Sequence, residues 1–578
     1  MLRNLLRSAF GPRAQPDTLV NRSLALRREG RLRDAEQLLR EAADQFPGDA
    51  AVATNLGIVL LEQDRGEDGV ASLQRALEID PRFAPAHYNL ANVMRASGRR
   101  GDAVEHYQAA VDADPGFTHA REELMNCLAE ICDWERADRV AKQLHATISN
   151  DTSGRWMRAL SPITALRLGL APAQVKAVSE YHAAECARGI VPVRRDIVVD
   201  APAPPRPARL RIGYLSRDLR DHAVGHLLAN AFALHDRTQF EIYAFSYGVD
   251  DGSKYRKAIE SGVDRFIDAH AMTDGELAAV IAAAGIHVLV DLAGHTTGNR
   301  MAVLARRPAP VQAHYLGYAT TTGAAYIDHF ISDQVATPPS MADAFSEKLV
   351  HLPTCFMVSD GADAPNFADR LGAFADATFA PDALVFCNFN NGSRITREDF
   401  SSWMEILRDV AGSVLWLQGA NALMVGNLRE EAAECGVNAE RLIFAQRVPT
   451  KRDHLKRLSR ADLMLDTIGW HTGHSTASDA LWAGVPVLTV PGQHFANRVA
   501  ASLASAAGLP ELVRCDRADY VRAAVRLGQD RALLAATKHR LGERKTPFFD
   551  TRMRVRDLEA AYLKMWERRR ESPPRQPN

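Results

Sequence analysis

The chain has 578 residues, 46% hydrophobic and 24% charged, and its 70 Lys and Arg against 71 Asp and Glu leave a formal charge of −1. That is the make-up of several globular domains. It argues against a general nucleic-acid binder and, with no run of 18 apolar residues, against a membrane span. The cysteines, Cys127, Cys132, Cys186, Cys355, Cys387, Cys435 and Cys515, are odd in number and scattered without a CxxC pair. This fits reduced thiols in the cytoplasm better than a disulfide frame or a zinc site. Residues 1–16 are basic without a long apolar core, so no signal peptide is expected. Nothing in the composition sets an oligomeric state.

Repeats occupy residues 17–150. Pro47, Pro81 and Pro115 recur every 34 residues, and other positions recur in step with them. Small residues, Ser23, Gly57 and Ala91, mark where two paired helices touch; Ala35, Gly69 and Ala103, then Ala42, Ala76 and Ala110, do the same on the second helix of each pair. Leu39, Leu73 and Tyr107 fill the space between neighbours, and each Pro stops a helix. The pattern resembles the tetratricopeptide (TPR) repeat. Leu124, Trp134 and Ala137 suggest a degenerate fourth unit. Such arrays stabilise a chain, and they also expose a long surface suited to peptides, which points to a protein partner.

Residues 151–207 read as a helical connector ending in a Pro-rich linker, DAPAPPRPAR. A first α/β lobe is expected over 208–375, with strands at 210–215, 241–247, 287–292, 312–318 and 329–333. A second is expected over 376–565, with short buried strands at 384–387, 414–417, 442–445, 463–466 and 485–489. A disordered tail is expected over 566–578. Two doubly wound, Rossmann-like lobes in tandem imply a cleft, with ligands at the carboxyl ends of the strands. No GxGxxG or GxxxxGK[ST] sits at the right place for NAD or a P-loop.

Polar loops follow several of these strands. Residues 466–486, DTIGWHTGHSTASDALWAGVP, run from a strand through a polar turn into a helix. Backbone N–H groups at that helix start, with the hydroxyls of Ser475 and Thr476, suit a phosphate, and Asp479 suits ribose hydroxyls; an ordinary capped helix has the same look. Lys451, His454 and Arg457 are three apart and share a helical face suited to a nucleotide, or to solvent. In CNFNNGSR, Asn391 and Arg394 suit a diphosphate, although Asn-Gly also builds a turn. In the first lobe His222 lies in the loop after the opening strand; with His226 it makes an HxxxH pair, but no Glu follows and no third ligand is evident, so no metal is expected. GHTTG at 294–298 and LGYATTTG at 316–323 are glycine-rich loops after strands.

In this order, GYLSRDLRDHAVGHLL, LVDLAGHTTGNR, RRPAPVQAHYLGYATTTGA, CNFN, GHSTASDALWAGVPVLT and RVAASL resemble the catalytic region of the O-GlcNAc transferase family, glycosyltransferase family 41, over roughly residues 208–570. The resemblance implies a GT-B fold behind the TPR array. It also implies inverting transfer of GlcNAc from UDP-GlcNAc to Ser or Thr of proteins, with no cofactor and no metal. It implies His222 as catalytic base and Arg394 as support for the leaving phosphate. His474, Ser475 and Thr476 take the pyrophosphate turn, and Asp479 the ribose-binding acid. Lys451, His454 and Arg457 take the nucleotide helix, Leu316 and Gly317 the sugar-side loop, Asn391 the donor side and His295 the sugar or acceptor side. Three features depart from the family: Arg394 stands where the family has Lys, the segment 468–473 is one residue longer than in the animal enzymes, and the array is short. Two alternatives follow: a bacterial flagellin-type glycosyltransferase with another nucleotide sugar or an Asn acceptor, and a non-enzymatic TPR adaptor with a vestigial nucleotide pocket.

Overall fold

The computed structural model describes residues 15–151, 153–193, 207–365, 379–380, 382–419 and 421–571. Most of the basic amino-terminal segment, most of the Pro-rich linker and the last residues, 572–578, lie outside them.

Residues up to Thr152 form one compact unit and those from Ser153 another. In the first unit four helix pairs follow one another: Pro16–Arg28 with Leu32–Gln45, Ala50–Glu62 with Gly66–Ile79, Ala84–Ala96 with Arg100–Ala113, and Thr118–Glu130 with Trp134–Asn150. The fourth pair keeps the 34-residue register, with Leu124, Trp134 and Ala137 all buried. The small residues explain the close pairing. A Cβ on Gly57 would lie 2.9 Å from the Gly69 carbonyl oxygen, and one on Gly69 would lie 2.6 Å from Leu61. Ala35, Ala42, Ala76, Ala103 and Ala110 are fully buried at the equivalent crossings. Tyr107, also buried, donates its hydroxyl to Asn92 at 2.6 Å.

The second unit holds two parallel sheets, the GT-B arrangement that the motifs imply. The first has strands β1 (Leu210–Ser216), β2 (Phe240–Ser246), β3 (Arg265–Asp268), β4 (Val288–Asp291), β5 (Val311–His314), β6 (His329–Asp333) and β7 (Lys348–Leu352), in the order β3-β2-β1-β4-β5-β6-β7. The second has β8 (Leu384–Asn388), β9 (Ser413–Gln418), β10 (Leu442–Ala445), β11 (Leu463–Leu465) and β12 (Val487–Leu488), in the order β10-β9-β8-β11-β12. The strand order reverses between β1 and β4 and between β8 and β11, which is where ligands bind in such sheets. The sequence reading missed β3 and β7. Both are edge strands, and β3 is short and partly exposed, so neither carries the apolar run of a buried parallel strand.

Two boundaries expected from sequence move. The connector is part of the second unit: helix Pro172–Ala187 places Ala183 in one core with Leu215, Phe245 and Leu289. Its Lys176 donates to the Asp343 carbonyl at 3.1 Å, and its Glu180 accepts from Ser346 at 2.8 Å. The carboxyl-terminal helix, Thr551–Glu571, runs through the expected start of the tail and packs against strands of the first lobe. Trp566 is buried against His287, with ring centroids 5.0 Å apart, and the Tyr562 and Tyr214 hydroxyls are 2.8 Å apart. Glu559 accepts from His235 Nδ1 at 3.0 Å and from the Asp236 N–H at 2.7 Å. No described helix is long and apolar enough to cross a membrane.

Candidate functional site

The four loops that leave β1, β4, β8 and β11 at the two switch points carry most of the residues singled out by sequence. In the β1 loop, His222 is the N-cap of helix Ala223–Leu228 and its Nδ1 accepts from the Val224 N–H at 3.3 Å. That bond favours the tautomer with the proton on Nε2. Asp218 Oδ2, 3.7 Å from the same Nδ1, favours the other tautomer, which frees Nε2 as a base. Burial holds the His222 pKa below its ordinary value, with Asp218 opposing and Arg220 and Arg217 adding to the fall. His226 is hydrogen-bonded to Asp221 at 2.6 Å, so the HxxxH pair has separate partners. No group of three or more metal-capable side chains occurs among the described residues.

The β4 loop is stapled to the β1 loop by Arg217, whose Nη1 donates to the Thr297 carbonyl at 2.7 Å. His295 donates Nε2–H to the Thr322 carbonyl at 2.6 Å, and burial lowers its pKa. Leu316 takes φ +72°, a left-handed conformation that costs a non-glycine residue about 1 kcal/mol or more. Gly317 follows because a Cβ there would sit 1.7 Å from the Leu292 carbonyl oxygen. The Leu316-Gly317 turn is thus packed directly on the end of the β4 strand.

In the second lobe Arg394 stands at the centre of the donor-side loops. It is half-buried, and among the described residues its guanidinium has no hydrogen bond or ion pair. Burial holds its pKa down to about 10, with Asp466 opposing. An unneutralised, desolvated cation calls for an anion. Its charge reaches His474, the residue before helix Ser475–Trp482, and the N–H groups of Ser475, Thr476 and Ala477 have no acceptor among the described residues. His474 precedes the helix and donates Nε2–H to the Ala496 carbonyl at 3.0 Å. Burial, then Arg394, pushes its pKa down to about 3, so it is neutral and adds no positive charge. The anion is left to Arg394, the helix amides and the Ser475 hydroxyl.

Beneath this turn lies a buried polar frame that sequence reasoning missed. Asp466 accepts from the Gly473 N–H at 2.7 Å, Thr489 at 2.8 Å and Asn390 at 3.3 Å. Asn390 also donates to Thr467 at 2.9 Å and accepts from the Thr476 hydroxyl. Burial pushes the Asp466 pKa up to about 7. The one available signal was alternation: Asn388 and Asn390 are separated by two at the end of a strand and both turn inward. Asn391, expected on the donor, is exposed and accepts from the Ser393 N–H at 3.0 Å, so it builds the local turn instead.

On helix Lys451–Leu458, Lys451 is ion-paired with Asp479, and His454 Nε2 is 3.7 Å from the same carboxylate. Burial drives the His454 pKa to about 4. Arg457 departs from expectation. It is 3% exposed, donates to the Gln446 carbonyl and lies 5.1 Å over the Phe389 ring, so it is committed inside the lobe. A narrow cleft lined by His226 and Tyr255 of the first lobe and by Lys451, Asp479 and Trp482 of the second joins the two halves of the site.

Comparison with known proteins agrees with this geometry. The family model for glycosyl transferase family 41 matches residues 131–371 and 370–558, and a tetratricopeptide repeat model matches residues 26–93. A probable UDP-N-acetylglucosamine–peptide N-acetylglucosaminyltransferase of Arabidopsis thaliana is 33% identical over 457 residues, 77% of this chain and 46% of the relative. A UDP-N-acetylglucosamine–peptide N-acetylglucosaminyltransferase of Caenorhabditis elegans is 28% identical over 558 residues, covering 76% and 48%. The chain therefore spans about half the length of the curated relatives it matches. A solved structure of a mutant Thermobaculum terrenum O-GlcNAc transferase is 28% identical, with a TM-score of 0.67 over 96% of this chain and 98% of that one.

Proposed function

The chain belongs to glycosyl transferase family 41, and from that premise we propose that it transfers GlcNAc from UDP-GlcNAc, with inversion, to Ser or Thr hydroxyls of a protein bound by the TPR array. The observation that carries the reading is the unpartnered Arg394 beside three unpaired amides at a helix start. This is a built site for a leaving diphosphate. Lys451 and Asp479 neutralise one another without ligand; a nucleotide offers each a new partner, phosphate for Lys451 and ribose hydroxyls for Asp479. The diphosphate charge is met by Arg394, Lys451 and the amides, so the reaction proceeds without a metal or cofactor.

The acceptor oxygen attacks the anomeric carbon, the bond from that carbon to the phosphate oxygen breaks, and its electron pair leaves with UDP. The acceptor proton passes to Nε2 of the His222 tautomer that carries its other proton on Nδ1, facing Asp218 3.7 Å away, so the step uses the Asp218 contact in place of the Val224 bond. Leu316, Gly317 and His295 line the sugar and acceptor side. The seven free cysteines fit a reducing cytoplasm.

The test is turnover of a panel of UDP- and CMP-sugars by the full chain, with and without Ser/Thr peptides. UDP-GlcNAc is expected to be hydrolysed slowly and transferred faster. Preference for another donor reassigns the sugar, and no turnover with any donor leaves only an adaptor.

A further inference from the structure

The segment between β11 and the Ser475–Trp482 helix carries a histidine that the scheme above leaves unused. His471 is 4% exposed. Its Nδ1 lies 2.6 Å from the Thr472 carbonyl, which only an N–H can face, so Nδ1 carries the proton. Nε2 is then a lone pair, and it has no partner among the described residues. The ring lies against that of His474, with centroids 4.1 Å apart, and so stands at the diphosphate turn. Burial, followed by the charge of Arg394, holds the ring neutral.

The ring is also fixed in place. The His471 carbonyl accepts from Thr467 at 2.7 Å, and the Thr472 N–H and hydroxyl both donate to the Ala496 carbonyl, at 3.0 and 3.1 Å. Trp470, one residue before, donates Nε1–H to the Ser393 carbonyl at 3.2 Å, and Arg167 from the connector lies 4.8 Å over its indole ring. A buried imidazole with a fixed tautomer and an unshared lone pair at Nε2 has one use for a ligand: it accepts a hydrogen bond. Phosphate oxygens are acceptors and cannot supply one. A sugar hydroxyl or an acylamino N–H can.

We propose that His471 is a specificity-determining residue of the donor site, whose Nε2 accepts a hydrogen bond from a hydroxyl or acylamino N–H of the donor sugar. This rests on the donor reading given above. A site built to pair with a sugar O–H or N–H rejects an analogue lacking it, because the lone pair is stranded once the bound donor covers it.

The experiment is calorimetric titration of the full chain with UDP, UDP-GlcNAc and UDP-sugars that each lack one hydroxyl or the acylamino group. Wild type, His471→Phe and His471→Gln are compared; Phe keeps a ring against His474 without the acceptor, and Gln keeps an acceptor. The expected result is a UDP Kd within about twofold of wild type in both variants, and a UDP-GlcNAc Kd raised about tenfold in Phe and partly restored in Gln. One deletion analogue should weaken binding to wild type yet make no difference to His471→Phe, as in a double-mutant cycle. If His471→Phe stays as sensitive as wild type to every deletion, the proposal is overturned. If His471→Phe does not fold, the Gln variant decides: equal affinity of wild type and Gln for every analogue, with no analogue weakened on wild type, also overturns it. Failure of wild type to bind UDP at all refutes the donor reading itself, and this proposal falls with it.

Discussion

The two lobes have similar sheets and opposite site chemistry. In the first lobe the cation and histidines that leave the switch point each have a partner in their own chain, Thr297 for Arg217, Val224 for His222 and Thr322 for His295, and one nitrogen of each histidine stays open among the described residues. In the second lobe the groups that matter are left unsatisfied: the Arg394 guanidinium, the amides of Ser475, Thr476 and Ala477, and Nε2 of His471. Unmet hydrogen-bonding capacity in a buried place is costly and persists where a ligand supplies the partner. On the proposed reading the second lobe holds the donor, and the first orients the acceptor and takes its proton.

The largest expected effect breaks the first-lobe half. His222→Ala should lower kcat about 10²–10⁴-fold with the UDP Kd little changed, the range for losing a general base. The sign of its pH dependence follows from its lowered pKa: protonation on acidification removes the base, so the rate falls as pH drops, with its midpoint below the ordinary value of about 6.5. His222→Ala should lose that limb. Weaker donor binding with an intact limb would make His222 a positioning group.

Arg394→Ala should cut kcat about 10²–10³-fold, as for one preorganised electrostatic donor, and Arg394→Lys should recover part of it. Unchanged kinetics in the Ala variant would remove the contrast between the lobes, because the unpartnered cation would then have no ligand.

The smallest effect concerns the frame under the turn. The Asp466 pKa is raised from about 4 to about 7 by burial, so its proton stabilises the fold fully at low pH, and that contribution fades as pH rises through about 7. The Tm of wild type relative to Asp466→Asn should therefore fall between about pH 4 and pH 7. Parallel Tm curves across this window would show that the Gly473, Thr489 and Asn390 donors keep Asp466 ionised throughout.

Much of the polar cluster in the second lobe was legible because its residues are close in sequence: His474, Ser475 and Asp479 fall within two turns of one helix start. Arg394 was legible from the strand and polar loop before it. Asn390 and Asp466 were not, because they meet across 76 residues of chain. The contacts of Asn391 and Arg457 were not legible for a related reason. Spacing places a side chain on a face, but only the packed lobe decides that Asn391 turns to Ser393 and Arg457 to Gln446.

The sequence by itself determined the repeat and the lobes. A 34-residue period of small residues and prolines allows one way of stacking helix pairs, and short apolar runs between helical stretches allow little besides parallel sheets. The tertiary structure decided what periodicity cannot carry. The connector and the last helix belong to the core of the second unit because their apolar faces, at Ala183 and Trp566, find cover on the first lobe. The protonation of each site histidine is likewise a tertiary matter. It depends on which carbonyl or amide the ring meets and how far water is excluded, and both are set by residues distant along the chain.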